Sequence, residues 1–462
     1  MKPKSTEIIP GASNTPIEEE TPLVVPAPIE EEIKDVLLWW EKLPDAWKNV
    51  FKNSAYSVTL SDPPTEDEIG ELLAVDNLYL YVDSEQVRQI TDLKPLLLTK
   101  NLKTLNAGST LISDLSGISK LKTLESLDLG STLVTDLSPL KKLTHLNYLN
   151  LYGTKVTDLS PLKSLKRLKT LMLSSTRIKD WKVLNDLTML EYLDISSTKM
   201  RSFEPIANLK RLTTLQATNL PITSLEGLEG LTRLTTLYLG STRIFDLSPL
   251  EKMEHLTTLD LGSTRIRNVE ALAKMQQLDY LNIGQTDVND MSPLKNCSNL
   301  KSLYASGTLI EDISAVSEMA NLENLDLNNT LIQDLSPLKN AGSLRYLYFS
   351  QTEVSSLEPI IGMTSIDSLT FSYTPIKSLK GVENLPSLRY IDCSNTQVSD
   401  LSPLKKLDSL DSISVQNTLI KDISAIYHLT SLYSFYCYGS PVPAEQIQKL
   451  KENNPNCYTD MN

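Results

Sequence analysis

The sequence predicts an α/β solenoid of stacked strand-and-turn units, on three observations. A threonine-anchored phrase recurs every 22 residues from Thr110 to Ser440, with no insertion or deletion. Each unit carries an L-x-L step, the period of two expected of a short strand buried on one face. An L-x-x-L-x-x-L run precedes that step, at a spacing that suits a short 3₁₀ or α turn. One unit cannot bury its own leucines, whereas stacked units share one continuous core.

The anchors are Thr110, Thr132, Thr154, Thr176, Thr198, Leu220, Thr242, Thr264, Thr286, Thr308, Thr330, Thr352, Thr374, Thr396, Thr418 and Ser440, and Arg88 opens the grid one step earlier. The consensus reads T-x-I-x-D-L-S-P-L-x-x-L-x-x-L-x-x-L-x-L-x-x, and fourteen positions after the anchor every complete unit has Leu except for Ile366. Ser-Pro pairs such as Ser138-Pro139 and Ser160-Pro161 fit a helix N-cap followed by the proline-tolerant first helical position. The Asp two residues earlier (Asp114, Asp136, Asp158, Asp246, Asp334) is placed to accept backbone N–H bonds in the turn. The threonine hydroxyl is expected to form a ladder of hydrogen bonds from coil to coil.

This pattern resembles the leucine-rich repeat family, in the 22-residue bacterial class found in internalins and related to the repeats of protein phosphatase 1 regulators. Over a dozen in-register units across residues 88–440 carry the resemblance, and Thr stands where those families usually place Asn. It implies a right-handed leucine-rich-repeat solenoid, a horseshoe with a parallel concave sheet and short 3₁₀ or helical convex turns. At ~4.8 Å per strand, sixteen units make a sheet roughly 75 Å along its arc.

The flanks read as a tail and two caps. Residues 1–32 carry six Pro and the acidic runs at 18–20 and 30–32, and their seven Glu against Lys2 and Lys4 give −5 of the net charge of −13. Such a composition is expected to stay disordered. Residues 33–87 form a helical N-terminal cap: two short helices broken at Pro44 carry Trp39, Leu43, Trp47 and Phe51 on apolar faces, and Thr65 with Glu68 is spaced as a capping box. The tryptophans read as a plug over the open first coil in preference to a ligand cage. Residues 441–462 supply a closing C-terminal cap helix.

Composition argues against several functions. The net charge of −13 and pI near 4.9 disfavour nucleic acid and anionic membranes as general partners. No apolar run approaches the ~18 residues of a membrane span, and the opening MKPKSTEIIP lacks a secretory pattern. His145, His255 and His428 are too dispersed to share a metal or a proton. Cys297, Cys393 and Cys437 fall on core positions, and Cys457, in the cap, has Cys437 as its candidate disulfide partner. No catalytic residue, metal site or cofactor is expected.

The exposed surface is therefore where function is sought. The concave positions, six, four and two residues before the anchor, hold Tyr148, Tyr152, Tyr192, Tyr238, Tyr280, Tyr304, Tyr346, Tyr348, Tyr390, Tyr436 and Tyr438, most of the chain's 18 tyrosines. Tyrosine is enriched in interface hot spots, although it also favours exposed strand positions for their own sake. Asp128, Asp194, Asp260, Asp326 and Asp392 recur every 66 residues on the same face. Duplication of an ancestral three-coil block accounts for that rhythm, and reading of a periodic partner is the alternative. One and three residues after the anchor, Lys155, Arg177, Lys179, Lys199, Arg201, Arg243, Arg265 and Arg267 form a basic island in an acidic chain. It reads either as a solvated loop edge or as a dock for an acidic partner, the chain's own tail included.

The expectation is a monomeric, non-enzymatic scaffold that binds a protein partner on its concave face and basic edge. It is cytoplasmic as written. The alternative is an exported surface or adhesion protein of internalin type whose signal or anchor lies outside this chain.

Overall fold

The L-x-L step becomes a three-residue strand whose central leucine points inward, with half-exposed residues on either side, as at Leu127, Leu149 and Leu237. The computed structural model describes residues 35–54, 60–61, 63–80 and 85–460; the acidic tail expected over 1–32 lies outside the described residues. Strand β1 (Asn77–Tyr79) is followed by strands β2 (Thr104–Asn106) to β17 (Ser434–Tyr436) at the repeat spacing, then by β18 (Tyr458–Thr459). Each pairs in parallel with its successor in one 18-stranded sheet. Register places like on like: Leu237 lies beside Leu259 and Tyr238 beside Asp260. Such stacking lets each central strand leucine be covered by the coils above and below it, and the core runs unbroken from Trp40 to Cys457.

The sheet extends beyond the 22-residue grid at both ends. Asn77 of β1 pairs with Thr104, 27 residues on, and Ser434 pairs with Tyr458, 24 residues on. Arg88, which opens the grid arithmetically, falls in a short helix, α4 (Glu85–Arg88), after the cap helices α1 (Val36–Lys42), α2 (Asp45–Ser54) and α3 (Glu66–Leu73).

The convex turns are 3₁₀ segments such as Ser138–Lys142, Ser160–Ser164 and Ser402–Lys406. Here the capping follows the sequence reading for Asp and differs from it for Ser. Ser is the first residue of the turn and makes no cap bond; the Asp two residues before it accepts the Ser N–H at 2.8 Å in each case. A carboxylate reaching two residues forward closes an Asx turn, which leaves proline at the second helical position.

The threonine ladder also takes another form. Each anchor threonine hydroxyl donates to the carbonyl three residues earlier in its own coil, for example Thr132 to Leu129 at 2.7 Å and Thr154 to Leu151 at 2.8 Å. The residue before the anchor is left-handed, with φ from 52° to 60° at every non-glycine position, Ser131 and Asn417 among them. That conformation costs an L-residue roughly 1–2 kcal/mol, and it turns the strand-end carbonyl inward, where the buried hydroxyl satisfies it. At the anchor turn the coil-to-coil bonds come from the backbone, as from Ser131 N–H to Tyr152 O at 2.6 Å. Thr418 is the exception, meeting the Ser440 hydroxyl of the next coil at 2.9 Å.

The ends are closed by different means. At the N-terminal end Asp35 caps α1, accepting from Leu38 N–H at 2.9 Å, and Thr65 with Glu68 forms the capping box of α3. Trp47 and Phe51 are buried in α2, with their ring centroids 5.8 Å apart. These rings are consumed by cap packing. At the other end helix α5 (Ala444–Asn453) leads into β18, and Asp460 accepts the N–H groups of Cys437 (2.7 Å) and Tyr438 (3.0 Å) together with the Gln416 amide (2.6 Å). Cys437 and Cys457 are both free, so the candidate disulfide is not formed.

Candidate interaction surface

Alternation along each strand sends the residues flanking the buried leucine toward the concave face, and this positions the tyrosines. Tyr148 opens β4 (Tyr148–Asn150) and its hydroxyl lies 3.6 Å from the Met172 sulfur of the next strand. Tyr192 opens β6 (Tyr192–Asp194), Tyr238 closes β8 (Thr236–Tyr238), and Tyr390 opens β15 (Tyr390–Asp392). Tyr346 and Tyr348 straddle Leu347 in β13 (Tyr346–Tyr348), with the Arg345 guanidinium 5.3 Å from the Tyr346 ring centre. Tyr280 and Tyr304, from β10 (Tyr280–Asn282) and β11 (Ser302–Tyr304), bring ring centroids to 5.4 Å. Burial, then the nearby Asp260 charge, pushes the Tyr280 phenol up to about 12. Burial also raises Tyr148, Tyr192, Tyr348 and Tyr390, so these groups stay neutral hydrogen-bond donors at neutral pH. Tyr152 and Tyr438 sit beyond their strands and are the more exposed of the set, while Tyr436 leans on Tyr458 at 5.6 Å.

The periodic aspartates have a local task that spacing alone did not reveal. Asp128, Asp194, Asp260, Asp326 and Asp392 each accept the N–H two residues on, at 2.8–3.0 Å, where the chain leaves the strand for its left-handed turn. Asn150 and Asn282 occupy the same repeat position and make the same bond at 2.9 Å. Those two amides also donate to Asp128 and Asp260, at 2.9 and 2.8 Å. Asp194 is 5 % exposed. Burial raises the Asp260 and Asp326 carboxyls above their ordinary value. At about 14 Å between successive members, the five do not converge on one ligand.

The two edges of the sheet differ in charge balance. Seven residues before the anchor, a run of alternating sign compensates itself: Lys169 with Glu191 (3.1 Å), Lys301 with Asp279 (3.3 Å), Arg345 with Asp367 (3.1 Å), and Arg389 with Asp411. That ladder was readable as alternating charge at a fixed repeat position, yet sequence reasoning passed over it. On the opposite edge the eight cations are exposed, and among the described residues only Arg267 has an ion-pair partner, Asp287 at 3.6 Å. Arg177, Lys179, Lys199 and Arg201 frame a groove of about 820 Å³ floored by Ile178, Trp181, Met200 and Pro205.

The nucleophile candidates are placed for packing. Cys297 and Cys437 are pushed up to about 11 and about 12 by burial, and Cys393 is raised further for the same reason. His145 meets the Lys122 carbonyl at 2.9 Å, and His428 stands 3.4 Å from Asp408 on the surface.

Comparison with known proteins agrees with this geometry. The family model described as leucine rich repeats (2 copies) matches residues 100–142, 122–164, 144–186, 232–274, 298–340 and 364–406. No curated protein matches the chain. Among solved structures it is similar to an internalin of Listeria monocytogenes, at 25 % identity over 64 % of this chain and 87 % of that one, with a TM-score of 0.62. It is similar in fold to a leucine-rich repeat protein of Leptospira interrogans, at 22 % identity over 76 % and 93 % of the two chains and a TM-score of 0.70. The functional domain of InlJ from Listeria monocytogenes, which includes a cysteine ladder, aligns at 23 % identity over 75 % and 74 %, with a TM-score of 0.65. With a 22-residue unit, an unbroken parallel sheet and these matches, the chain carries leucine-rich repeats and is similar to the bacterial internalins.

Proposed function

We propose that the chain is a non-enzymatic scaffold that holds an acidic protein partner against its basic edge, with the tyrosine-bearing concave face completing the contact. Leucine-rich solenoids use their extended concave surfaces for binding. The observation that carries this reading is the contrast between the edges: one ladder of charges is paired within the chain, and on the other only Arg267 has an ion-pair partner among the described residues, in a protein of net charge −13. Unpaired cations at fixed spacing produce a local positive potential that steers an acidic surface toward them. Neutral tyrosines beside them add contact area at low entropic cost. Partner captured from the host and measured for association rate across salt tests the reading: association that slows as salt rises is expected, and salt-independent association overturns it.

A second reading, an exported adhesion-type protein, is favoured by the likeness to Listeria internalins. Among the described residues no helix is long and apolar enough to cross a membrane. Antibody labelling of intact host cells separates the readings, since surface signal supports the second and its absence removes it.

A further inference from the structure

The groove at the basic edge has a specific charge arrangement. Arg177 and Lys199 occupy the position after the anchor in adjacent coils, and Lys179 and Arg201 stand two residues further on. Successive coils rise ~4.8 Å, so four exposed like charges crowd one patch with no ion-pair partner among the described residues. The neighbouring acidic position is kept in one of these coils and lost in the next. Asp180 spends its Oδ1 on Lys182 N–H at 3.0 Å, and the next coil replaces the aspartate by Ser202, whose hydroxyl accepts Glu204 N–H. Trp181 stands where most coils place Leu, 8 % exposed in the apolar floor.

The chain contains a segment of matching character. Residues 18–25 read EEETPLVV: three consecutive carboxylates, then apolar side chains. We propose that this segment docks in cis into the groove, Glu18–Glu20 against the four cations and Leu23–Val25 over the floor. The reach allows it. The groove lies at the coils of β5 (Thr170–Met172) and β6 (Tyr192–Asp194), four and five strands beyond β1, or ~19–24 Å along the stack. Fifteen residues separate Glu20 from Asp35, where the described chain begins, and they span up to about 50 Å. The second triplet, Glu30–Glu32, is at most five residues from Asp35 and its backbone reaches no more than about 17 Å, so Glu18–Glu20 has much the longer tether. Tether length therefore favours Glu18–Glu20 over the second triplet. The inference rests on the basic edge being a docking surface and adds its regulation, since an incoming partner displaces the segment.

Zero-length carbodiimide coupling of the full chain, alone and at low salt, followed by peptide mass spectrometry, tests this. The expected result is intramolecular coupling of Glu18–Glu20 to Lys179 or Lys199, reduced at least about fivefold in ~0.5 M salt, where screening is short-ranged. Arg177→Glu with Arg201→Glu, which leaves both coupling lysines in place, is expected to reduce it equally. Coupling of Glu30–Glu32 instead, coupling spread over lysines around the surface, coupling between molecules, or none overturns the proposal. Partner association is measured separately, so a partner that never engages the edge leaves this result readable, and failed coupling leaves partner binding intact.

Discussion

The Thr242 hydroxyl donates to the Leu239 carbonyl three residues back, at 2.7 Å, across the left-handed Ser241. This bond inside one coil sets how the chain leaves its strand, and the same geometry returns wherever the anchor is threonine. Thr242→Val keeps the volume and leaves a buried carbonyl unmet, so it should cost ~1–3 kcal/mol. Thr242→Ser should retain most of the stability. Urea midpoints of the two variants check this; equal losses would mean that shape, not the hydroxyl, matters.

The facing of the strand makes a second prediction. Leu237 is fully buried between coils, and its neighbour Tyr238 looks outward. Leu237→Ala should cost ~2–5 kcal/mol, whereas Tyr238→Ala should cost under ~1 kcal/mol. Denaturant midpoints that fell alike for both would contradict the assignment of faces.

Two aspartates should respond to pH in opposite ways. Burial raises Asp260, so its contribution favours the fold below its ordinary value of 3.8 and is lost as pH climbs through the raised value. Asp334, held low by the Ser336 hydroxyl and N–H, contributes above 3.8 and loses that contribution as pH falls through its lowered value. Asn makes the required turn bond at the Asp260 position, as Asn282 does at 2.9 Å. Asp260→Asn should therefore be neutral or stabilising at neutral pH, and Asp334→Asn destabilising, with both differences shrinking in acid. Unfolding midpoints measured from neutral pH to pH 3 give the comparison, and shifts of the same sign would refute it.

The repeat was legible because identical units must bury identical leucines; period, strand, turn and cap helices follow from residue spacing alone. The ends were less so. β1 and β18 depart from the grid because a terminal coil has a neighbour on one side only, and cap geometry, not repeat arithmetic, sets their register. The Asp136 turn bond was legible, whereas Ser138 was misread as the N-cap, because only the backbone path shows that it already lies inside the turn. The tyrosines and basic positions lie on the predicted faces. The turn role of Asp128 and its equivalents was hidden, because a carboxylate at a strand end looks like a surface charge until the left-handed residue three positions later is seen.

The proposed docking role of the basic edge depends on its exposed charge. The most direct measurement is the association rate of captured host partner with the wild-type chain, with Tyr238→Ala and with Arg243→Glu/Arg265→Glu, at low and high salt. Arg243 and Arg265 are exposed and outside the leucine core, so the reversal should leave the fold intact. The reversal is expected to slow association roughly tenfold or more at low salt, a difference that closes as salt rises past ~0.15 M, and Tyr238→Ala is expected to have a smaller effect. Unchanged association for the double reversal at both salts would contradict that docking role.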